Sequence, residues 1–298
     1  MIGRIIKQIS NDYTVKIENK EYICKARGKF RNENISPVVG DFVEIDTNNN
    51  YILNIKNRKN ELDRPRISNV DIVIIITSLK HPNFDSNLLD KLLAIIEFNN
   101  IKPVIIFTKK DLLTKEELKN FEKTFTYYNN LYDVYYNDEI DKIKQIFKDK
   151  VSVFTGQSGA GKSTLLNKLD TNLNLLTGEI SYALGRGKHT TRHTSLIDIE
   201  GGLVADTPGF SSLYFKDMSK EDIRDGFKEF NKYRRFCKYN DCMHIKEDEC
   251  KIKSLVEEGL ILKSRYDNYV NFINKGWFYV NCGILFKNSK RKRKYRKT

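Results

Sequence analysis

Over the first 65 or so residues, apolar and polar positions alternate in short runs. RIIKQI, YTVKI, YICKARG, DFVEID and YILNI are separated by Asn, Gly, Asp and Pro turn signals. A period near two bounded by turn residues marks half-buried strands. Five such strands in this span predict a small closed barrel, of which the OB-fold is one kind. From Asp71 the pattern changes. Continuous apolar runs (DIVIIITSL, PVIIFT and VSVFTG) alternate with amphipathic stretches at Asn87–Asn99, Leu112–Phe125 and Ile140–Lys148, and Tyr132–Tyr136 forms a weaker strand. Strands that are apolar throughout and alternate with helices predict a parallel sheet covered on both faces. SLIDIE and GLVADTPG follow a long polar loop, and beyond Ser219 the chain reads as helical with interspersed cysteines. The expectation is an α/β chain in three parts: a barrel at residues 1–66, a parallel-sheet domain at 67–218 and a helical unit at 219–298.

Composition narrows the class. With 40% apolar and 31% charged residues the chain has a globular profile. No apolar run approaches the roughly 20 residues of a membrane span. The opening MIGRIIKQIS lacks the apolar core of a secretory signal. A cytoplasmic protein with no membrane partner is expected. Net charge is +13, and the last twelve residues, KNSKRKRKYRKT, carry eight Lys/Arg and no acid. A basic tail on a mildly basic body suits a polyanion such as nucleic acid; a solvated extension accounts for the tail alone equally well. Lys25, Arg27, Lys29 and Arg31 interleave with Phe30, a pattern that suits a phosphate backbone and a stacked base. For that segment alone a solvated loop is the simpler account.

The strongest chemical motif is Gly156-Gln157-Ser158-Gly159-Ala160-Gly161-Lys162-Ser163, followed by Thr164. It matches G-x-x-x-x-G-K-[ST], with an apolar strand before it and a helix, Lys162–Leu169, after it. Backbone N–H groups of such a loop curl around phosphates, and the helix N-terminus adds a favourable dipole. Lys162 is expected at the β- and γ-phosphates and the Ser163 hydroxyl on Mg²⁺. Asp206-Thr-Pro-Gly209 closes a second apolar strand, placing a carboxylate near the metal and the Gly209 N–H near the γ-phosphate. Between them lies Leu184–Thr194, LGRGKHTTRHT, too long to be a plain connection in a compact domain. It is read as a loop that closes on the γ-phosphate, with Thr190 or Thr191 completing the Mg²⁺ shell.

Guanine specificity is carried by [NT]-K-x-D, and two segments match. Asn167–Asp170 lies within the helix leaving the phosphate loop, where its side chains cannot reach a base. Thr108-Lys109-Lys110-Asp111 follows an apolar strand and projects from the carboxyl edge of the sheet, where ligands bind. That segment precedes the phosphate loop, the reverse of the usual GTPase order. Circular permutation resolves the reversal. Finally, Cys237, Cys242, His244 and Cys250 fall within fourteen residues. Three thiolates and an imidazole make a closed, structural zinc site. Cys24 and Cys282 have no sequence neighbours of this kind and receive no role.

Together, a barrel, TKKD ahead of GQSGAGKST, GRGKHTTRHT, DTPGF and C-x4-C-x-H-x5-C resemble the RsgA (YjeQ-type) circularly permuted GTPases of bacteria. The resemblance spans residues 1 to about 272. It implies an OB-fold, a permuted GTPase domain binding GTP/GDP and Mg²⁺, and a C-terminal zinc domain. It also implies a GTPase that binds the small ribosomal subunit and its rRNA late in maturation, with slow hydrolysis that the subunit stimulates. A monomer is the expected state. Two departures stand out. Thr108 occupies a position more commonly Asn, which is expected to loosen the tie between base site and phosphate loop. The second guanine-side loop falls near Tyr136-Asn137 and has no recognisable signature. After Ile273 nothing carries over. The residue after DxxG, where many GTPases carry the water-orienting glutamine, is Phe210. His189 is the candidate to place the attacking water; contact with RNA or solvent is the competing role. An RNA-binding module with incidental turnover and an ATPase are the alternatives, and TKKD argues against the latter.

Overall fold

The computed structural model describes residues 1–32, 35–63, 66–170, 194–206, 215 and 218–275. Alternation builds the N-terminal barrel from β1 (Ile2–Ile9), β2 (Asp12–Ile17), β3 (Lys20–Ala26), β4 (Phe42–Asp46) and β5 (Tyr51–Ile55). The spatial order is β1-β2-β3-β5-β4, and β4 pairs back onto β1 to close the ring. Ile5, Val15, Cys24, Val43 and Ile52 are fully buried inside it, so Cys24 serves as a small apolar filler.

The stacking platform that the pattern around Phe30 would suit is not there. The short helix α1 (Lys29–Asn32) turns Phe30 into the barrel core, where it is 4% exposed. A single aromatic among cations carries no periodicity, so sequence could not tell a surface ring from a core one. The aromatic rings the barrel does present are Phe42 and Tyr51, with the Arg4 guanidinium 4.3 Å from the Phe42 centroid.

A hairpin of β6 (Glu61–Asp63) and β7 (Arg66–Ser68) leads out of the barrel. The buried Asp41 carboxylate ties it down, accepting from Val38 N (2.9 Å), Ser68 Oγ (2.6 Å) and the Arg58 guanidinium (2.6 Å). A buried carboxylate this fully hydrogen-bonded fixes the joint.

The α/β domain comprises β8 (Ile72–Ser78), α2 (Ser86–Phe98), β9 (Lys102–Thr108), α3 (Lys115–Asn129), β10 (Asp133–Tyr136), α4 (Ile140–Phe147), β11 (Val151–Gly156), α5 (Lys162–Leu169), β12 (Thr194–Ile199) and β13 (Gly202–Asp206). Every residue of β8 and β11 is buried, as expected of strands with helices on both faces. Helix α3 begins three residues later than the apolar pattern suggested. Thr114 caps it, accepting from Glu117 N (3.2 Å) while Glu117 accepts from Thr114 N (2.8 Å). Such a reciprocal box outweighs weak periodicity in setting a helix start.

The sheet order β10-β9-β8-β11-β13-β12 makes the permutation visible. Strand β11 stands at the centre, parallel to β8 on one side and β13 on the other. Within the α/β domain, the strands preceding it in sequence (β8, β9 and β10) occupy one flank, and those following it (β12 and β13) occupy the other. Cutting the chain before β11 and rejoining it after β13 would preserve each of these pairings. The last strand, β12, runs antiparallel to β13 and pairs outward with β1 (Lys7↔Ser195, Gln8↔Thr194). Barrel and parallel sheet therefore form one continuous eleven-stranded sheet.

The C-terminal unit contains α6 (Lys220–Asp225), α7 (Lys228–Tyr233), α8 (Lys251–Glu257) and α9 (Lys263–Lys275). Its core of Phe227, Phe230, Ile252, Leu255, Tyr269 and Phe272 includes Ala94 of α2, which seats the unit on the α/β domain. No described helix is long and apolar enough to cross a membrane.

Candidate functional site

At the carboxyl end of β11 the backbone must leave the sheet abruptly. Gly156 does this at φ +133°, packed so closely that an added Cβ would lie 1.9 Å from the Ile76 carbonyl. Gly161 enters α5 at φ +93°. Both conformations favour glycine. Between them Gln157, Ser158, Gly159 and Ala160 form the loop; Ser158 and Gly159 are exposed and Ala160 is buried. Lys162 turns its ammonium back across the loop, donating to the carbonyls of Gly156 (3.1 Å) and Gln157 (2.8 Å). Partial burial lowers its pKa, a penalty that a phosphate at this point would oppose. The Ser163 hydroxyl is buried one residue on, and Thr164 faces outward on α5.

The Thr108–Asp111 segment lies at the end of β9, one strand beyond β8 and on the same sheet edge as the phosphate loop. The loosening expected from threonine at 108 does not occur. Thr108 Oγ1 donates to the Ala160 carbonyl at 2.6 Å, so the shorter side chain makes the tie directly. Lys109, at φ +60°, donates to the Gly159 carbonyl (2.8 Å) and to the His81 carbonyl. Base segment and phosphate loop are thus joined at two successive carbonyls. Asp111 sits exposed in the turn Lys110–Leu112, open to a base. The other match, Asn167–Asp170, spans the last turn and C-cap of α5, as its rejection assumed.

Sequence reasoning set the second guanine-side loop near Tyr136-Asn137 without a signature, and the fold places that turn beside the Thr108–Asp111 segment. β10 runs parallel to β9, and Asn137 N donates to the Phe107 carbonyl at 3.0 Å. Lys110 bonds Asp138 at 3.1 Å and lies 4.3 Å from the Tyr136 ring centroid. The turn Tyr136–Glu139 therefore flanks Asp111. A Lys-to-Asp pairing 28 residues apart was the only signal available, and sequence alone does not reveal such pairs.

Strand β13 ends at Asp206 beside β11, which brings its backbone to the same edge. Gly209, His189, Thr190 and Thr191 lie outside the described residues, as do Phe210, Cys282 and the basic tail.

The metal-ligating residues converge. One ligand atom from each of Cys237, Cys242, His244 and Cys250 lies within 4.8 Å of all the others. His244 Nδ1 is 3.3 Å from Cys250 Sγ and 3.6 Å from Cys237 Sγ, and the two sulfurs are 4.0 Å apart. Bond lengths of about 2.3 Å to sulfur and 2.0 Å to nitrogen set tetrahedral ligand atoms roughly 3.5–3.8 Å apart, so the four residues fit zinc. Burial holds His244 down at about 4, keeping it neutral and ready to ligate. Burial and neighbouring thiols push Cys242 up to about 12. Burial also raises Cys250, and thiols held up in this way become thiolates readily only when a cation shares their space.

Comparison with known proteins shows which family the chain resembles. A family model described as RsgA GTPase matches residues 55–216, and one described as RsgA N-terminal domain matches residues 2–52. Small ribosomal subunit biogenesis GTPase RsgA 2 of Oceanobacillus iheyensis is 47% identical over 282 residues, covering 92% of this chain and 96% of that protein. The corresponding RsgA of Latilactobacillus sakei is 43% identical over 91% of this chain and 94% of its own. Among solved structures, YloQ, described as a circularly permuted GTPase, is 38% identical with a TM-score of 0.78, covering 93% of this chain and 95% of that one. YjeQ from Thermotoga maritima is 34% identical with a TM-score of 0.79, covering 93% and 98%.

Proposed function

The chain belongs to the RsgA GTPase family and is a GTP-hydrolysing enzyme, and from that premise we propose that it couples hydrolysis to late maturation of the small (30S) ribosomal subunit. It binds the subunit's rRNA, and the subunit accelerates turnover. The observation that carries this reading is the tie from Thr108 and Lys109 to the Ala160 and Gly159 carbonyls. It sets a guanine-reading carboxylate and a phosphate loop at fixed separation, and relatives 47% and 43% identical to this chain are named for small-subunit biogenesis. Residues 1–66 are the RNA-binding barrel, 67–218 the GTPase domain and 219–298 the zinc domain with its basic tail. The protein acts as a cytoplasmic monomer.

In this reading Gly156–Thr164 holds the phosphates, with Lys162 at the β- and γ-oxygens. Ser163, Asp206 and Thr190 or Thr191 hold Mg²⁺, which when bound neutralises charge on those oxygens. Gly209 donates its N–H to the γ-phosphate. Because Phe210 cannot orient water, His189 does so once rRNA closes its loop on the γ-phosphate. GTP turnover measured with and without purified small subunits tests the whole. Stimulation is expected, and His189→Ala should bind GTP normally yet lose at least about tenfold of the stimulated rate, roughly 1.4 kcal/mol of barrier. Absence of stimulation in the unmutated protein would refute the coupling, and full stimulation of the variant would assign the water to RNA or backbone.

The tail acts by charge. Each phosphate neutralised releases condensed counterion, so subunit affinity should fall steeply with salt. Removing residues 287–298 is expected to flatten that slope while leaving GTP affinity unchanged. Filter binding across a salt series decides it, and an unchanged slope would make the tail a solvated extension.

A further inference from the structure

Helix α9 of the C-terminal unit touches two places at once. Through Tyr266 and Tyr269 it holds the metal-ligating loop, their hydroxyls donating to the carbonyls of His244 (2.7 Å) and Met243 (2.5 Å). Through Arg265 and Asn268 it grips the first turns of α2. The Asn268 amide donates to Asp90 Oδ2 (2.7 Å) and Ser86 Oγ (3.2 Å) and accepts from Asn87 (3.1 Å). Arg265, wholly buried, donates to Asp90 Oδ1 (2.6 Å), to Tyr132 OH (3.3 Å) and to both carboxylate oxygens of Glu229. The Tyr128 hydroxyl completes Asp90 at 2.7 Å.

Two carboxylates sharing one guanidinium away from water are a poor source of stability, since well-packed apolar groups would serve as well or better. What such a cluster supplies is a single geometry, because each donor has one place to go. The segment it fixes leads straight to the nucleotide edge. Asp85 caps α2, accepting from Leu88 N at 3.0 Å. Ahead of it Phe84 packs edge-on against Phe107 (5.8 Å) and Phe121 (5.4 Å). Lys80 bonds Glu117 at 2.9 Å, and the His81 carbonyl accepts from Lys109. The turn Lys80–Asp85 is therefore a brace between α2 and the Lys109 ammonium that also reaches the phosphate loop.

We propose that Arg265 and Asn268 are positioning residues for guanine-nucleotide binding, holding α2 so that the Lys80–Asp85 brace keeps Lys109 against the phosphate loop. The inference rests on the reading that Thr108–Asp111 receives guanine. Nucleotide and metal loop then sit at opposite ends of one chain of contacts, and the effect of each on the other's affinity is equal in both directions.

The test uses the full-length, zinc-loaded protein and two readouts: GDP affinity by fluorescent-nucleotide titration, and zinc release to a metallochromic chelator with and without saturating GDP. Asn268→Ala leaves all the charged partners in place. It should raise the GDP dissociation constant about fivefold and the KM for GTP similarly, with kcat unchanged. GDP should slow zinc release severalfold in the unmutated protein and have little effect in the variant. Ser86→Ala, which removes the hydroxyl on the other side of the contact, should weaken GDP less, and the double variant should be no worse than Asn268→Ala alone. Affinities within twofold of the unmutated protein for both variants would overturn the proposal, as would zinc release indifferent to GDP in the unmutated protein. If ATP instead competed equally with GTP there, the guanine reading would fail, whereas nucleotide-dependent zinc release would still stand.

Discussion

Asp111→Asn is expected to lower GTP affinity about a hundredfold and to turn the base preference from guanine toward xanthine. The reason is hydrogen-bond polarity. A carboxylate accepts from guanine N1–H and from the exocyclic amine, two bonds to a charged acceptor. Each such bond contributes roughly 1.5–3 kcal/mol, so losing the better part of both removes about 2.7 kcal/mol, a factor of a hundred. The amide of asparagine presents a donor where the carboxylate presented an acceptor. That donor meets the amine of guanine badly and the corresponding carbonyl of xanthine well. The geometry favours a clean exchange, because Asp111 is exposed in its turn while its neighbours Thr108 and Lys109 do the anchoring. The substitution should leave fold and phosphate contacts intact. Competition among GTP, XTP and ATP measures the outcome. An unmutated protein that binds ATP as well as GTP, or a variant that keeps its GTP affinity, would remove Asp111 from the base site.

Which parts of this molecule can be read from sequence follows from the range of the interactions that make them. The barrel strands and the buried strands β8, β9 and β11 declare themselves because burial on one face or two imposes a local period. The phosphate loop is legible for a similar reason: its glycines answer a backbone demand within eight residues, as the positive φ of Gly156 and Gly161 demonstrates. The four metal-ligating residues are close in sequence and need no distant element to be noticed. What escaped is everything built from pairs far apart. The β1–β12 pairing joins Lys7 of the barrel to Ser195 of the α/β domain, and nothing periodic in either strand names the other. The burial of Phe30, the Lys110–Asp138 pair and the Asp41 joint are of the same kind. Arg265 is the sharpest case. In a polar helix it reads as a surface cation, and only the fold brings Asp90 and Glu229 around it.

Removing the metal is expected to unfold the C-terminal unit while the parallel-sheet domain survives. Structural zinc in small domains contributes apparent binding energies of about 10–16 kcal/mol near neutral pH, and binding and folding are one equilibrium. Here the loop from Cys237 to Cys250 contains no described helix or strand. Cys242, His244 and Cys250 are buried, so without a cation the thiols would be desolvated with only one another for company. The hydroxyls of Tyr266 and Tyr269 would lose the carbonyls they hold, and α9 would lose one of its two supports. The α/β domain keeps its own cores on both sheet faces, built from residues such as Val73, Ile75, Phe107 and Val153 on one and Ile74, Val104, Leu165 and Val204 on the other. It would retain Asp90 without its guanidinium. With burial already raising that carboxyl's pKa, protonation offers the stranded group a way to remain inside. Heating chelator-treated protein should therefore show only the transition of the α/β domain, whereas the zinc-loaded protein also shows unfolding of its C-terminal unit. Cys250→Ser should reproduce the chelated state without chelator. Metal analysis of carefully purified protein should give close to one zinc per chain. Less than about half an equivalent, or a chelated protein whose C-terminal helices melt unchanged, would show that the four residues are held by packing instead.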